Sequence, residues 1–194
     1  KDIRQLYEIH EWKHACAVLK EDFSKEWSDI LDVLGQFRLY KNDIIKSGGG
    51  LSTVSQRFNK AFGAQNWVEK SFDTQILVDG NKMASPTHKV DCYKNQVALE
   101  IEWNNKDPFY DRDLNNFRLL FDLRVASVGV IITKADELEN LFKELGEQTG
   151  EKIWEKYGRS TTWMGKLIPR IEGGGGGGCP ILVFGIRKGA YIAS

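Results

Sequence analysis

Two short stretches of the chain consist almost entirely of apolar residues, VGVIIT at 128–133 and ILVFGI at 181–186. Strands that are covered on both faces have this composition, whereas a strand with one solvated face alternates apolar and polar residues. Apolar residues at helical spacing precede or follow both stretches, at 111–125, 135–146 and 162–171. The pattern predicts an α/β protein in which helices flank a central mixed β-sheet.

The length of 194 residues suits one substantial core, so we expect a single domain over residues 1–194. Within it, residues 1–45 are predicted to be an N-terminal helical part, with two helices over residues 3–34, and residues 46–186 the core. Further predicted elements are a short strand in FRLYK (37–41), a helix capped by Ser52 and a strand in TQILV (74–78).

Composition narrows the class of protein. Lys and Arg together number 27, as do Asp and Glu, so the chain has no overall attraction for polyanions, and composition alone disfavours a nucleic-acid partner. Cys16, Cys92 and Cys179 show no C-x-x-C spacing and are expected to be reduced thiols. There is no signal-peptide pattern and no apolar run of about 20 residues, so we expect a soluble cytoplasmic protein without a membrane partner.

The run GGGGGG at 173–178 permits two interpretations. A glycine-rich loop lets the backbone approach a phosphate, but the G-K-[ST] of a nucleotide-binding loop does not follow. The alternative is a flexible connection into the last strand, which the composition favours.

An acidic strand is the strongest indication of chemistry. In VALEIEW, residues 97–103, Glu100 and Glu102 share one face of a strand that is otherwise apolar. Asp91 lies nine positions before Glu100, on a predicted strand. A hairpin between the two strands would bring Asp91 next to Glu100. The alternative is that these acids lie on a solvated face of the strand. The apolar composition of the strand indicates an interior position, however, where unpaired carboxylates cost free energy. Converging carboxylates favour a hard divalent cation, and Mg²⁺ is the natural candidate.

An aspartate, a glutamate nine residues later and a second acid two positions beyond resemble the core motif of PD-(D/E)XK nucleases. The strand EIEWNN, followed by a helix and VGVIIT, is closer to type II restriction endonucleases of the BglII, BstYI and BamHI group. GGGLSTVSQRFNKAFGAQNWVEKSF and CPILVFGI resemble other segments of that group, so the resemblance covers roughly residues 46–186.

The resemblance implies that Asp91, Glu100 and Glu102 are catalytic. It also implies that Asp91, Glu100 and the Ile101 carbonyl hold one or two Mg²⁺ ions. Two positions depart from the motif: Val90 replaces its proline, and Glu102 stands where a lysine is common. An ionised carboxylate cannot donate, so Glu102 would accept a proton from the attacking water or bind metal. The fourth, upstream acid of the family is not identified; Glu69 and Asp73 are candidates.

DNA contacts are expected from polar and basic residues that reach the grooves. Asn104 and Asn105 follow the acidic strand, although an asparagine pair is also common in turns. GRSTT, before the helix at 162–171, matches a second DNA-contacting segment of the family, or it caps that helix. The full set is Lys46, Ser47, Asn104, Asn105, Lys106, Arg112, Arg118, Arg159, Ser160, Thr161 and Thr162.

By this resemblance, the chain would be a prokaryotic, cytoplasmic, Mg²⁺-dependent type II site-specific deoxyribonuclease acting on double-stranded DNA. A palindromic site implies a homodimer in which each subunit cuts one strand, and the helix at 111–125 is a candidate for part of its interface. A nuclease for repair or for damaged DNA and a non-cleaving DNA-binding module are the alternatives.

Overall fold

The computed structural model of the protein describes residues 2–45, 50–84, 87–158 and 160–193. In chain order its strands are β1 (Tyr7–Trp12), β2 (Leu39–Tyr40), β3 (Val68–Lys70), β4 (Gln75–Val78), β5 (Asn81–Ala84), β6 (Val90–Lys94), β7 (Val97–Ile101), β8 (Val128–Lys134), β9 (Ile181–Ile186) and β10 (Tyr191–Ile192). Its helices are α1 (Ile3–Leu6), α2 (Ala15–Asp22), α3 (Ser24–Gln36), α4 (Lys41–Ile45), α5 (Thr53–Ala64), α6 (Phe109–Asp122), α7 (Leu138–Thr149), α8 (Ile153–Tyr157) and α9 (Met164–Glu172).

The central sheet has the order β1-β9-β8-β7-β6-β3 within the described ranges. The three middle strands, β9, β8 and β7, are parallel, and the outer strands pair antiparallel. All residues of β7, β8 and β9 are buried, as the apolar stretches predict. The predicted single-domain α/β fold with a mixed central sheet is therefore confirmed.

Two apolar clusters cover the two faces of this sheet. The first contains side chains of α2, α3, α5, α7 and α8, with Phe58 among them, and the second contains side chains of α6 and α9, with Phe117 among them. Because side chains alternate along β7, Leu99 and Ile101 belong to the first cluster and Ala98 belongs to the second. The face of β7 that carries Glu100 and Glu102 is therefore the face covered by α6 and α9.

The N-terminal region is not wholly helical, and the prediction of two helices over residues 3–34 is wrong at residues 7–12. These residues form β1, which pairs antiparallel with β9 at the edge of the central sheet. Tyr7 is buried there, and its hydroxyl donates to the Leu34 carbonyl at 3.1 Å. Apolar residues at helical spacing lie on either side of residues 7–12, so the sequence pattern predicted a helix where the strand forms.

Other local predictions agree with the structure. FRLYK contains β2, and the Ser52 hydroxyl caps α5 by accepting from the Ser55 amide at 3.0 Å. TQILV contains β4, which forms an exposed hairpin with β5. Among the helices of the described ranges, none combines the length and the apolar character that crossing a bilayer requires.

The glycine run forms hydrogen-bonded turns that pack against α6, so it is not a free connection. A Cβ at Gly175 would lie 3.1 Å from Leu114 Cδ1. Gly177 has a φ of +58°, and a Cβ there would lie 2.5 Å from Arg118 Cγ. The small residues let this chain segment lie close to the helix on its way to β9.

Gly129 in β8 gives a test of this packing. A Cβ at Gly129 would overlap the ring of Phe117 on α6, so we expect Gly129→Ala to lower the free energy of unfolding by ~1–3 kcal/mol. Gly63→Ala is the control, because no atom lies within 4 Å of its added Cβ and alanine favours the α5 helix by about 0.5–1 kcal/mol. Urea unfolding should separate the two variants in opposite directions. Equal midpoints would contradict the close packing of α6 on β8.

Candidate active site

A tight hairpin positions the first two acids. β6 and β7 pair antiparallel, with Cys92 opposite Leu99. The turn between them begins at Asn95, whose φ of 43° is a left-handed conformation that asparagine tolerates. Asp91 and Glu100 each lie one residue farther from the turn than the Cys92–Leu99 pair, so the hairpin brings them next to each other.

Backbone amides fix the orientation of these two acids. The Asp91 amide donates to Glu100 Oε2 at 3.2 Å, and the Ile101 amide donates to Asp91 Oδ2 at 3.0 Å. Glu100 is only 1% exposed. The structure thus brings together Asp91, Glu100 and Ile101, the three residues that the sequence analysis assigns to metal binding.

Glu102 lies on the same face, just beyond the end of β7, and is 1% exposed. Its amide donates to the Ile132 carbonyl at 2.8 Å, which extends the pairing with β8. The Asn105 side chain donates through Nδ2 to Glu102 Oε2 at 2.8 Å, and Arg112 Nη2 lies 3.5 Å from Glu102 Oε1. Glu102 is therefore held from two sides by groups that favour its ionised form.

The structure adds an acid that the sequence analysis did not select, Asp113 on α6. Its side chain is fully buried, and Arg112 donates to Asp113 Oδ1 through Nε at 2.9 Å and Nη2 at 2.7 Å. Asp113 lies in the buried stripe of α6 beside Leu114 and Phe117. An acid among apolar residues at helical spacing was the signal that could have identified it.

Burial and mutual repulsion raise the pKa of these carboxyl groups. Burial is the largest cause for Glu100, followed by the negative charges of Asp113 and Asp91. Burial and then Asp113 raise the pKa of Glu102 to about 9. Burial also raises the pKa of Asp91 and of Asp113, and the Arg112 guanidinium opposes the increase at Asp113. Because the four carboxyl groups lie so close together, each stays ionised only where a positive side chain or a cation neutralises it.

The acids fit a divalent cation without forming a closed cage. Glu100 Oε1 is a buried oxygen for which the described part of the chain provides no hydrogen-bond donor, whereas the Asp113 carboxyl group shares a hydrogen bond with that of Glu102. No three Asp, Glu, His or Cys side chains of that part converge closely enough to enclose a metal ion. Mg²⁺ requires less, because it retains several waters and is held by one or two carboxylates. Asp91 and Glu100 supply two carboxylates of this kind, and the Ile101 carbonyl remains a predicted third ligand.

A cleft of about 310 Å³ opens beside the acids. Asp91, Ile101, Glu102 and Arg112 form one side, and residues 50–53, before and at the start of α5, contribute to the other side. A ligand in this cleft would therefore contact the acids and the N-terminus of α5 at the same time.

The two segments predicted to contact DNA lie next to each other. Lys106 and Thr161 form an antiparallel bridge, and the Thr162 amide donates to the Asn105 carbonyl at 2.9 Å. Lys106 Nζ also donates to Ser160 Oγ at 3.2 Å. We call these two stretches the paired segment, which comprises residues 104–106 and 160–162.

Side chains of the paired segment differ in exposure. Lys106 and Ser160 are exposed, whereas Thr161 and Thr162 are buried at 3% and 0% and bond to backbone carbonyls. None of the three hydroxyl residues caps α9, whose N-cap is Trp163 and has no side-chain cap. The capping alternative for GRSTT is therefore wrong, and the two threonines hold the segment in place.

The other residues predicted to contact DNA, and the candidates for the fourth acid, lie in different parts of the structure. Arg112 lies at the cleft, with its guanidinium 4.3 Å from the centroid of the Phe109 ring. Arg118 is exposed on α6 against Gly177. Lys46, Ser47 and Arg159 lie outside the described residues. Glu69 and Asp73, the candidates for a fourth acid, are both exposed, and Glu69 pairs with Lys89 at 2.9 Å.

A buried lysine contacts the residues that adjoin the paired segment in sequence. Lys134, at the end of β8, is 0% exposed, and its Nζ donates to the Trp103 carbonyl. The rings of Trp103, Tyr157 and Trp163 surround this ammonium, with centroids 5.3, 5.7 and 5.0 Å away. Burial lowers the pKa of Lys134 to about 7. One side chain thus connects the end of β7 with α8 and the start of α9.

Comparison with known proteins identifies a family for this arrangement. A family model described as restriction endonuclease BglII/BglIII matches residues 7–186 of the 194-residue chain. The matched region extends from the start of β1 to the end of β9 and includes the acids, α6 and the paired segment. A comparison with curated proteins gives no match.

The raised pKa of Glu102 predicts how stability depends on pH. The ordinary value is 4.5 and the folded value about 9, so the folded protein retains a proton that the unfolded chain releases. The free energy of unfolding in EDTA should therefore fall as pH rises from about 5 to 7, by up to ~1.4 kcal/mol per pH unit for this group. Glu102→Gln should flatten the slope because glutamine does not titrate.

Chemical denaturation at several pH values measures these slopes. Glu147→Gln, an exposed substitution on α7, is the control and should keep the wild-type slope. The window ends near pH 7 because the lowered pKa of Lys134 contributes with the opposite sign above it. An unchanged slope in Glu102→Gln would contradict a protonated Glu102 in the free protein.

Proposed function

Because the chain belongs to the BglII/BglIII restriction endonuclease family and is on that basis a site-specific DNA nuclease, we propose that it is a type II enzyme. It would hydrolyse both strands of a short palindromic DNA site with Mg²⁺. One observation supports the proposal most directly: half-buried Asp91 and buried Glu100 and Glu102 lie together on one side of the sheet, beside a cleft and next to the paired segment.

Asp91 and Glu100 are the proposed metal ligands, with the Ile101 carbonyl as a third. Their orientation is set before any ligand enters, because backbone amides hold Asp91 Oδ2 and Glu100 Oε2. Glu100 Oε1 remains without a donor in the described structure and can face a cation. A bound Mg²⁺ supplies Lewis-acid activation of the phosphodiester and of water.

Glu102 is the proposed proton acceptor for the attacking water. It cannot donate a hydrogen bond while ionised, so it differs chemically from the lysine that is common at this position in related nucleases. Asn105 and Arg112 both direct N–H groups toward Glu102 and favour the ionised form that accepts a proton. Even with these two contacts the pKa of Glu102 is about 9, so its ionised form near neutral pH depends on the positive charge of the proposed cation.

DNA contact is proposed for the exposed part of the paired segment and for the cleft. Lys106 and Ser160 present polar groups at the surface, and Asn105 and Arg112 line the cleft beside the acids. Because the net charge of the chain is zero, attraction to DNA would have to come from basic groups placed locally, such as Lys106. Lys46, Ser47, Asn104, Arg118, Arg159, Thr161 and Thr162 remain predicted contacts.

A homodimer is proposed because a palindromic site requires two-fold symmetry. The apolar stripe of α6 is used against the sheet, so an interface on this helix would be formed by its outward residues, among them Asn115 and Arg118. Size-exclusion chromatography with light scattering should give twice the chain mass without DNA, and the mass of two chains plus one duplex with DNA. A monomer under both conditions would contradict the symmetric model.

Digestion of a mixed-sequence plasmid with Mg²⁺, next to a reaction with EDTA, tests the proposed activity. We expect discrete fragments with Mg²⁺ and intact plasmid with EDTA. A smear or random nicks would indicate a different nuclease, such as one for damaged DNA. No change in either reaction would favour a non-cleaving binder and would contradict the proposal.

Carboxamide variants test the proposed ligands. Asp91→Asn and Glu100→Gln should each reduce cleavage at least ~100-fold, because a neutral amide binds Mg²⁺ weakly, while binding to DNA in EDTA persists. Asp122→Asn removes an exposed acid at the end of α6 and should keep full cleavage. Cleavage and a mobility-shift assay on the same preparations separate the two effects. Near wild-type cleavage by Asp91→Asn would remove it from the site.

A further inference from the structure

An exposed hairpin precedes the strand that carries Asp91. Among the strands that the structure describes, β4 and β5 pair only with each other, and every residue of both is exposed. The turn between them is Asp79-Gly80, with φ values of +48° and +82°, as in a tight two-residue hairpin. We call residues 73–84 the arm.

The base of the arm is attached to the core. The Thr87 hydroxyl donates to the Phe72 carbonyl at 2.7 Å and accepts from the Phe72 amide at 3.3 Å. The Phe72 ring meets the Tyr93 ring edge to face, with the two centroids 5.1 Å apart. These contacts hold the two ends of the arm together, but they leave its strands uncovered.

One face of the arm is apolar. Met83 is the cross-strand partner of Ile76, and Val78 follows Ile76 by two positions, so the three side chains share a face. They are 48% (Ile76), 46% (Val78) and 52% (Met83) exposed. A two-stranded hairpin is marginally stable in water and needs further strands or another element packed on its apolar face. The uncovered face therefore indicates a partner surface.

The charge of the arm disfavours nucleic acid as the occupant of this face. Asp73 and Asp79 carry two negative charges and Lys82 carries one positive charge, so the arm has a net charge of −1. Surfaces that bind DNA neutralise phosphates with lysine and arginine. Lys82 is the cross-strand partner of Leu77, on the face opposite Ile76. The apolar face is thus suited to a protein surface.

The arm adjoins the side of α6 on which the homodimer interface is proposed. A cavity of about 360 Å³ is lined by Thr87 and His88, at the base of the arm, and by Asn115 and Leu119 of α6. Asn116 Nδ2 also donates to the His88 carbonyl at 3.1 Å. Because Asn115 is one of the outward residues of α6, the arm and the proposed interface form neighbouring parts of one surface.

A second copy of this chain fits these conditions. A stable dimer buries roughly 800 Å² on each partner, more than two four-residue strands offer, so the arm needs an adjoining surface such as that of α6. In a two-fold dimer the same patch meets itself. The face formed by Ile76, Val78, Met83 and Asn81 contains no charged residue, so it can meet its own copy without repulsion.

We propose that the apolar face of the arm packs on the same face of a second copy, across the two-fold axis of the homodimer. The inference rests on the homodimer of the proposed function and extends its interface from α6 to the arm. Ile76, Val78 and Met83 of the two subunits cover one another in this dimer. Leu77 and Lys82, on the opposite face, remain in solvent.

Sedimentation equilibrium of the full chain over a dilution series, without DNA, measures the dimer Kd. The variants Ile76→Ser and Met83→Ser replace an apolar side chain on the proposed contact face. Leu77→Ser is the matched control, because Leu77 is 66% exposed but lies on the opposite face. All three side chains are exposed in the single chain, so each variant should keep the wild-type circular dichroism spectrum.

We expect Ile76→Ser and Met83→Ser each to raise the dimer Kd at least about tenfold, because each removes an apolar contact from the centre of the arm interface. Leu77→Ser should leave Kd within about twofold of the wild-type value, although it removes a more exposed apolar side chain. Binding to duplex DNA in EDTA, measured with the same variants, shows whether the arm contacts DNA.

Three outcomes would overturn the inference: a wild-type chain that remains monomeric, a dimer Kd that none of the variants changes, and equal increases in all three. Weaker DNA binding by Ile76→Ser at an unchanged dimer Kd would make DNA the occupant of the arm. Plasmid digestion tests the nuclease activity independently of these measurements. A dimer that depends on Ile76 but cleaves no plasmid would contradict the proposed function and support the arm contact.

Discussion

The site depends on four carboxyl groups that lie close together, with Glu100, Glu102 and Asp113 buried and Asp91 half-buried. Asp91 and Glu100 come from one hairpin, Glu102 from the extension of β7 and Asp113 from α6. Repulsion and burial raise the pKa of each of them. Such an arrangement costs stability unless protons or positive charges neutralise the carboxylates, which is the reason for proposing a cation here. Arg112 supplies part of that charge in the free protein, and a divalent cation is the proposed remainder.

The paired segment links this acidic cluster to the surface. Its two stretches are 54 positions apart in sequence between Lys106 and Ser160, yet a bridge and several hydrogen bonds join them directly beyond Glu102. The buried ammonium of Lys134 donates to the Trp103 carbonyl and lies against the Trp163 ring, which fixes the residues next to the paired segment. Residues suited to contact a nucleic acid are thus attached to the same rigid strand end that carries the acid proposed to accept a proton.

Much of this arrangement could be predicted from the sequence because it follows from local rules. Alternation along β7 places Glu100 and Glu102 on one face, and a two-residue turn near Asn95 returns Asp91 to Glu100. What the sequence did not reveal depends on contacts between distant elements. Asp113 becomes part of the cluster only when α6 packs on the sheet, and the burial of Lys134 depends on the rings of Trp103, Tyr157 and Trp163 around it. β1 was hidden because apolar residues around it repeat at helical spacing.

The most direct measurement of the central claim is a calorimetric titration of the protein with Mg²⁺ near pH 7, in buffers of different ionisation enthalpy. If the buried acids exist to hold a cation, Mg²⁺ should bind saturably and release about one proton or more, because binding needs the ionised carboxylates. Glu100→Gln should weaken this binding strongly, whereas Asp122→Asn should not. Absence of saturable binding by the wild-type protein, or binding without proton release, would contradict the account.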